Sequence, residues 1–230
     1  MLDDKDVVAV LAACEGLFEA GEVAAPSGYP DAMALCIIDS IWSMGVRYGG
    51  VVNVLDRYRA WVRTSQLADP SARSASELAA DIAAVGGPDS FAHHVAQNLS
   101  RTSTRSGVLK ASAVADAAAA LVRVGVNTTD DLRRTYMSSD VESAWRSIKG
   151  QRSGISWHYL LILARVPDVK ADRMVCSFVA RAVGRPRVTA VEGRDLVLAA
   201  HGRLQETRPT LDIRALDHSI WTAERAARRG

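Results

Sequence analysis

Residues 139–184, SDVESAWRSIKGQRSGISWHYLLILARVPDVKADRMVCSFVARAVG, predict three short helices joined by two tight connections. The first helix is amphipathic and breaks at Gly150, because glycine is a poor helix former and marks turns. After the turn, the apolar run at 157–163 predicts a second helix. A loop with Pro167 follows, and Asp172 stands where the N-cap of a third helix is expected. Two helices therefore meet across a tight turn that contains glycine.

The rest of the chain has the same helical character. Alanine-rich segments with apolar residues at helical spacing follow one another, and no segment alternates long enough to indicate a strand. Helices are expected at 4–20, 31–44 and 51–63, and residues 102–107 predict a mobile surface loop. Capping boxes predict three further helix starts, at Ser74 with Glu77, Ser139 with Glu142 and Thr189 with Glu192. The expected fold class is all-α, with about ten helices.

The composition excludes several classes of protein. The 230 residues are 48% hydrophobic and 23% charged with a formal net charge of +2, which is typical of a soluble globular protein of one or two domains. No apolar run approaches the roughly 20 residues of a membrane span, and the acidic first residues do not resemble a signal peptide. Three widely spaced cysteines argue against a disulfide framework and a thiolate metal cage, so we expect a cytoplasmic protein without a metal.

Positive charge comes mainly from arginine and is concentrated in three local clusters. These are Arg101, Arg105 and Lys110; Arg146, Lys149 and Arg152; and Arg181, Arg185 and Arg187. The second cluster lies at the turn within 139–184, where the next helix offers N–H groups and a favourable dipole to a phosphate. A solvated surface and a nucleic-acid contact both remain open for each cluster.

This arrangement resembles the helix-hairpin-helix DNA glycosylase superfamily, of the endonuclease III type. Gly154-Ile155-Ser156 looks like its Gly-apolar-Gly hairpin, and Asp172 falls at the aspartate that the family uses to cleave the glycosidic bond. Upstream, residues 34–43 look like an early helix of the family. There, Asp39 aligns with the acid that protonates the departing base in adenine glycosylases. The resemblance covers most of residues 30–185 in the order of the elements.

The resemblance implies two helical lobes with a cleft between them. Residues 31–166 would form a helical-barrel domain that contains the hairpin, and residues 1–30 with 167–230 would form a second, discontinuous domain. The cleft would be lined by Asp39, Trp42, Tyr48, His158 and Asp172. Many members carry an iron–sulfur cluster near the C-terminus, but no cysteine follows Cys176. No cofactor is therefore predicted.

The implied reaction is hydrolysis of the N-glycosidic bond of a flipped, damaged or modified base. Ionised Asp172 would stabilise the sugar cation and orient water, and protonated Asp39 would act as general acid. His158 occupies the position of the Schiff-base lysine of bifunctional members, and an imidazole cannot form that imine. We therefore expect a monofunctional enzyme that acts on double-stranded DNA and is associated with the nucleoid.

The resemblance also implies binding roles for further residues. The DNA contacts would be made by Lys149, Arg152, Gly154, Ser156 and Arg47. The pocket for the extruded base would be formed by Trp42, Tyr48, Trp157 and Tyr159.

Each assignment has a structural alternative. Asp172 is also a good N-cap, Asp39 is also a candidate buried polar residue, and the tryptophans are also candidate core residues. Asp217 and His218 are expected to be surface or capping groups, and the spacing of the histidines predicts no zinc site. Two other functions stay open: a non-catalytic helix-hairpin-helix DNA-binding protein and a helical adaptor for protein interactions.

Overall fold

The computed structural model describes residues 2–18, 24–46, 48–65 and 69–228. These residues form twelve α-helices and no strands, which confirms the all-α prediction. The helices are α1 (Asp4–Gly16), α2 (Met33–Trp42), α3 (Tyr48–Thr64), α4 (Ala75–Ala84), α5 (Pro88–Ser90), α6 (Lys110–Arg123), α7 (Thr129–Thr135), α8 (Ser139–Arg146), α9 (Ile155–Leu163), α10 (Arg173–Ala182), α11 (Ala190–Thr207) and α12 (Ile213–Ala227). Within this part of the chain, no helix has both the length and the apolar character that crossing a membrane requires.

The described residues divide into two compact units. The central unit, Gly28–Val166, contains α2 to α9. The terminal unit contains α1 and α10 to α12, from the described residues of Met1–Ser27 and Pro167–Gly230. Each unit has its own hydrophobic core.

Helix α2 is the centre of the core of the central unit. All ten residues of its sequence MALCIIDSIW are buried. A helix that is apolar around its whole circumference has to be covered on every side, and α2 packs against α3, α4, α6 and α9. Its two polar residues, Asp39 and Ser40, are therefore buried with it.

A buried ion pair lies at the start of α4. Arg73 donates from Nε to Oδ2 of Asp81 at 2.8 Å and from Nη2 to Oδ1. The hydroxyl of Tyr58 on α3 donates to the same carboxylate at 2.7 Å. Arg73 and Asp81 are both buried, so each charge depends on the other to offset the cost of leaving water. The hydrogen bond from Tyr58 to Asp81 joins α3 to α4 in the core.

The C-terminal end of α2 is closed by a buried lysine. Lys110, the first residue of α6, is 1% exposed and donates from Nζ to the carbonyl oxygens of Trp42 at 2.8 Å and Met44 at 2.7 Å. A cation at this position complements the negative end of the helix dipole. Burial lowers the pKa of Lys110 to about 8. The structure thus removes Lys110 from the basic surface cluster to which the sequence had assigned it.

We expect Lys110→Met to lower the free energy of unfolding by about 2 to 3 kcal/mol, because two carbonyl groups lose a charged donor. The matched control is Lys149→Met, since Lys149 is exposed, and it should change stability by no more than about 0.5 kcal/mol. Urea unfolding followed by circular dichroism measures both. Equal effects of the two substitutions would contradict the structural role of Lys110.

Every helix of the terminal unit begins with a side-chain cap. Asp3 caps α1, Asp172 caps α10, Thr189 caps α11 and Asp212 caps α12. Each side chain accepts a hydrogen bond from a backbone N–H group that has no partner inside its helix. The capping function of Asp172 is therefore shared with three other residues of the unit.

Several helix boundaries differ from the sequence-based expectations. The Ser74 and Glu77 capping box is confirmed, but α8 begins after Ser138, which makes no capping bond, and Glu142 pairs with Arg146 instead. The box at the start of α7, formed by Thr128 and Asp131, was not predicted. Helix α1 ends at Gly16, earlier than the predicted end at residue 20, which lies outside the described residues.

Candidate nucleic-acid interface and acidic site

The 147–154 turn connects α8 to α9 in a conformation that requires glycine. Gly150 and Gly154 have φ of 94° and 77°, in the left-handed region that side chains other than glycine rarely adopt. Arg146 fixes the turn by donating from Nε and Nη2 to the carbonyl oxygen of Arg152 at 3.1 and 3.0 Å. Lys149 and Arg152 are exposed. The turn thus presents basic side chains on a fixed backbone.

Ser156 has an internal role in this region. Its buried hydroxyl accepts a hydrogen bond from Nε1 of Trp145 at 3.0 Å and donates to Oε1 of Gln151 at 2.5 Å. This network ties α8 to α9. The side chain of Ser156 therefore has no open surface for a phosphate, which corrects its expected contact with DNA. Arg47, the other predicted DNA ligand outside the turn, lies outside the described residues.

The tryptophans expected to contact a base lie in the core. Trp42 is 1% exposed, and Trp157 is 2% exposed and packs against Trp145 with ring centroids 6.4 Å apart. Neither ring has a face open to a base, so the structure supports the core-packing alternative at both positions. His158 is half-buried on α9.

Asp39 lies at the centre of a buried tyrosine network. It is 0% exposed, and its Oδ2 accepts hydrogen bonds from the hydroxyls of Tyr29 at 2.9 Å and Tyr48 at 3.0 Å. Tyr48 is 40% exposed and also forms a hydrogen bond with Tyr159. Asp39 is thus an acceptor inside the central unit, which corrects its expected position as an acid lining an open cleft. Tyr48 is the member of the network that reaches the surface.

Burial and the negative charge of Asp39 raise the pKa values of these tyrosines. The pKa of Tyr48 rises to about 12, and the pKa values of Tyr29 and Tyr159 are raised as well. The same two causes raise the pKa of the buried thiol of Cys36. The network therefore keeps its phenolic protons over the whole neutral range.

This protonation predicts that stability falls in alkaline solution. In the unfolded chain, thiols ionise near pH 9.0 and tyrosines near pH 10.0, whereas burial raises the pKa values of Cys14, Cys36, Tyr29, Tyr58 and Tyr159 in the folded protein. Above those pH values only the unfolded chain releases the protons, so each group removes about 1.4 kcal/mol of stability per pH unit. The lowered pKa of Lys110 acts in the opposite direction between about pH 8 and its unfolded value of 10.5.

We therefore expect the urea midpoint to fall between pH 9 and 11, most steeply above pH 10, where tyrosines add to the thiols. Cys36→Ala should make the fall in stability shallower by about 1.4 kcal/mol per pH unit. A midpoint that does not change over this range would contradict the protonated state of the buried groups.

A pocket opens beside the tyrosine network in the central unit. Its volume is about 220 Å³, and its lining includes Tyr29, Leu35, Arg59 and Ser71. The guanidinium of Arg59 lies 5.4 Å from the centroid of the Tyr29 ring. Asp39 does not line this pocket, and Tyr29 is the residue that belongs both to the lining and to the hydrogen-bonded network.

Asp172, in the terminal unit, uses one carboxylate oxygen as a helix cap. Its Oδ1 accepts from the backbone N–H groups of Met174 at 2.7 Å and Val175 at 3.4 Å. Within the described residues, Oδ2 makes no hydrogen bond, and the side chain is half-buried. Asp172 is therefore an N-cap, as the structural alternative predicted, and its Oδ2 remains for another partner.

Two carboxylates hold the loop that precedes Asp172. Asp168 accepts from Nε of Arg194 on α11 at 2.7 Å, and Asp217 on α12 accepts from the backbone N–H of Lys170 at 2.9 Å. Burial raises the pKa of Asp217 to about 7, and the negative charges of Asp172 and Asp168 add to this effect. Asp217 is thus a partly exposed side chain that binds a loop N–H group, and its charge interacts with that of Asp172.

A family model described as "Domain of unknown function (DUF8548)" matches residues 8–225. The chain belongs to the DUF8548 family. No curated protein and no solved structure matches it. The DUF8548 match spans Asp39, the 147–154 turn and Asp172, so all three features lie within the family domain.

In this DUF8548 protein, the structure gathers the predicted site residues into separate groups. Asp39, Tyr48 and Tyr159 belong to one hydrogen-bonded network, and Lys149 and Arg152 lie on the 147–154 turn. Among the described residues, no group of three or more His, Cys, Asp or Glu side chains is placed to hold a metal ion.

The sequence did not lead us to place Tyr29 beside Asp39 or Asp217 near Asp172. A signal for Asp217 was present, because it follows Ile213 by four residues and precedes Ile220 by three. It therefore occupies the apolar face of α12. No comparable signal marked Tyr29, which lies in a loop.

Proposed function

We propose that this protein is a monofunctional DNA glycosylase of the helix-hairpin-helix type. In this proposal α8, the 147–154 turn and α9 form the hairpin that binds double-stranded DNA. Asp172 then promotes hydrolysis of the N-glycosidic bond of an extruded base. The observation that carries the proposal is the geometry of Asp172: it begins α10 one loop after the hairpin and leaves Oδ2 outside its own cap.

The chemistry follows from the charge of Asp172. Departure of the base leaves positive charge on the sugar, and a nearby carboxylate stabilises that charge and orients the attacking water. The half-buried position of Asp172 strengthens this interaction, because water screens it less than on an open surface. Asp217 supports the same site, since a carboxyl group with a pKa of about 7 retains a proton at neutral pH for part of the time. Two neighbouring carboxyl groups in different environments are suited to separate roles.

A monofunctional glycosylase is expected to leave the DNA strand intact. His158 stands on α9 where a lysine would form the imine that leads to strand cleavage, and imidazole cannot form it. Duplexes that carry uracil, an oxidised purine, an alkylated purine or a mismatch are incubated with excess protein. We expect free base from at least one duplex, with strand breaks only after alkaline treatment. Strand breaks without alkali would contradict the monofunctional mechanism.

A second candidate is a DNA-binding protein that has the hairpin but performs no reaction. Burial of Asp39, Trp42 and Trp157 favours it, because these residues offer no surface for reading a base. Both candidates predict binding that weakens with added salt. Release of free base distinguishes them, because only the enzyme produces it.

A further inference from the structure

Two stretches of the chain contain basic residues and no acidic residue. Residues 90–115 and 143–167 include no Asp or Glu. The first contains Arg101 and Arg105, and the second contains Arg146, Lys149 and Arg152. In a chain with 28 basic and 26 acidic residues in total, such segregation concentrates positive charge wherever the two stretches meet.

The fold brings the two stretches into direct contact. Residues 101–109 form a closed loop, in which Arg101 and Leu109 form an isolated antiparallel bridge and the N–H of Thr102 donates to the carbonyl of Val108 at 2.9 Å. Thr102 packs on Gly150 of the 147–154 turn, so closely that a Cβ atom on Gly150 would lie 2.6 Å from Cβ of Thr102. The loop and the turn are therefore neighbouring parts of one surface of the central unit.

The basic side chains of this surface are available for a partner. Arg101, Arg105, Lys149 and Arg152 are exposed. Within the described residues, Arg105, Lys149 and Arg152 form no ion pair, and Arg146 pairs with Glu142 on its own helix. The charges of Arg105, Lys149 and Arg152 are therefore not neutralised by the protein itself.

In the third basic cluster of the sequence, two of the three arginines form ion pairs within the terminal unit. Arg181 pairs with Glu224, and Arg185 pairs with Asp6 and Glu192. These arginines stabilise the terminal unit by contacts among its helices, and their charge is balanced locally. Ion pairing thus separates a structural basic cluster from one that is open to an external anion.

We propose that the 101–109 loop is a second DNA-binding element, which contacts the phosphate backbone of the same duplex as the 147–154 turn. This inference rests on the proposed function for its partner. Arginine suits the role because its planar guanidinium binds phosphate oxygens through two parallel hydrogen bonds. Contacts of this kind position the duplex without reading its sequence. Arg105, close to the middle of the loop, is the principal phosphate ligand.

The test measures duplex binding by fluorescence anisotropy over a range of salt concentrations. Arg105→Gln is compared with Arg152→Gln on the turn and with Arg123→Gln at the exposed, far end of α6. Because the slope of log K against log salt is negative, loss of one phosphate contact should make it less negative by about 0.9. We expect this change for Arg105→Gln and Arg152→Gln, equally on duplexes of unrelated sequence, and no change for Arg123→Gln.

The outcomes separate this inference from the proposed function. If Arg152→Gln makes the slope less negative and Arg105→Gln does not, DNA binding by the 101–109 loop is refuted, while DNA binding by the 147–154 turn stands. If all three variants change the slope equally, the 101–109 loop has no special role, and the inference is overturned. If the wild-type protein binds no duplex at low salt, the proposed function fails and this inference fails with it.

Discussion

Asp172→Asn is expected to reduce release of free base by about 100- to 1000-fold, the usual effect of removing one electrostatic stabiliser of a transition state. Asparagine retains a side-chain oxygen that can accept from the N–H groups of Met174 and Val175, so α10 keeps its cap. The substitution therefore removes the negative charge and preserves the local structure. Binding of the duplex should remain close to that of the wild type, because the phosphate contacts are unchanged.

The matched control is Asp3→Asn. Asp3 caps α1 as Asp172 caps α10, by accepting from a backbone N–H two residues later. Both substitutions should have a similar small effect on thermal unfolding, and Asp3→Asn should retain base release. The measurement is the single-turnover rate with protein in excess. A similar loss of rate in both variants would show that the effect is structural, and full activity of Asp172→Asn would remove the proposed mechanism.

Arg73→Met is expected to cause the largest loss of stability, about 3 to 5 kcal/mol, because it leaves the buried carboxylate of Asp81 without its cation. Among the residues that the structure describes, the hydroxyl of Tyr58 would then be the remaining side-chain partner of Asp81. Arg134→Met is the control, since Arg134 pairs with Asp131 on an exposed part of α7. Exposed pairs contribute about 0 to 1 kcal/mol.

Urea unfolding at pH 7 measures both variants. The double variant Arg73→Met with Asp81→Leu should recover part of the lost stability, because it removes the unpaired charge as well. If Arg73→Met has no larger effect than Arg134→Met, the ion pair is not part of the folded core in solution.

Much of the fold was predictable because it depends on local chemistry. Glycine in the 147–154 turn, the carboxylate of Asp172 at a helix start and the hydroxyl of Ser74 each act on neighbouring backbone groups. Such effects depend on a few adjacent residues and can be recognised from the sequence. The apolar α2 likewise indicated a buried helix by its composition alone.

The partners of the polar residues were not predictable in the same way. Lys110 binds the carbonyl of Trp42, 68 residues away, and Asp217 binds the N–H of Lys170, 47 residues away. Which side chain covers a helix end or a loop depends on how the helices pack, and no local pattern contains that information. For this reason Lys110 was assigned to the surface. The spacing along α12 placed Asp217 on the apolar face of the helix, but it did not identify Lys170 as its partner or Asp172 as its neighbour.

The basic clusters illustrate the same distinction. Sequence located all three, but only the ion pairs of Arg181 and Arg185 and the contact of Thr102 with Gly150 separate the structural cluster from the exposed one. Charge in a sequence therefore indicates where a partner can bind, and the folded structure decides which charges are still available.

The most direct measurement is the amount of free base released by the wild-type protein from lesion-containing duplexes, quantified by mass spectrometry under single-turnover conditions. We expect release of one class of base to near the molar amount of duplex, with an intact strand that carries an abasic site. Duplex binding without release of any base would contradict the enzymatic function and leave the non-catalytic DNA-binding protein as the correct description.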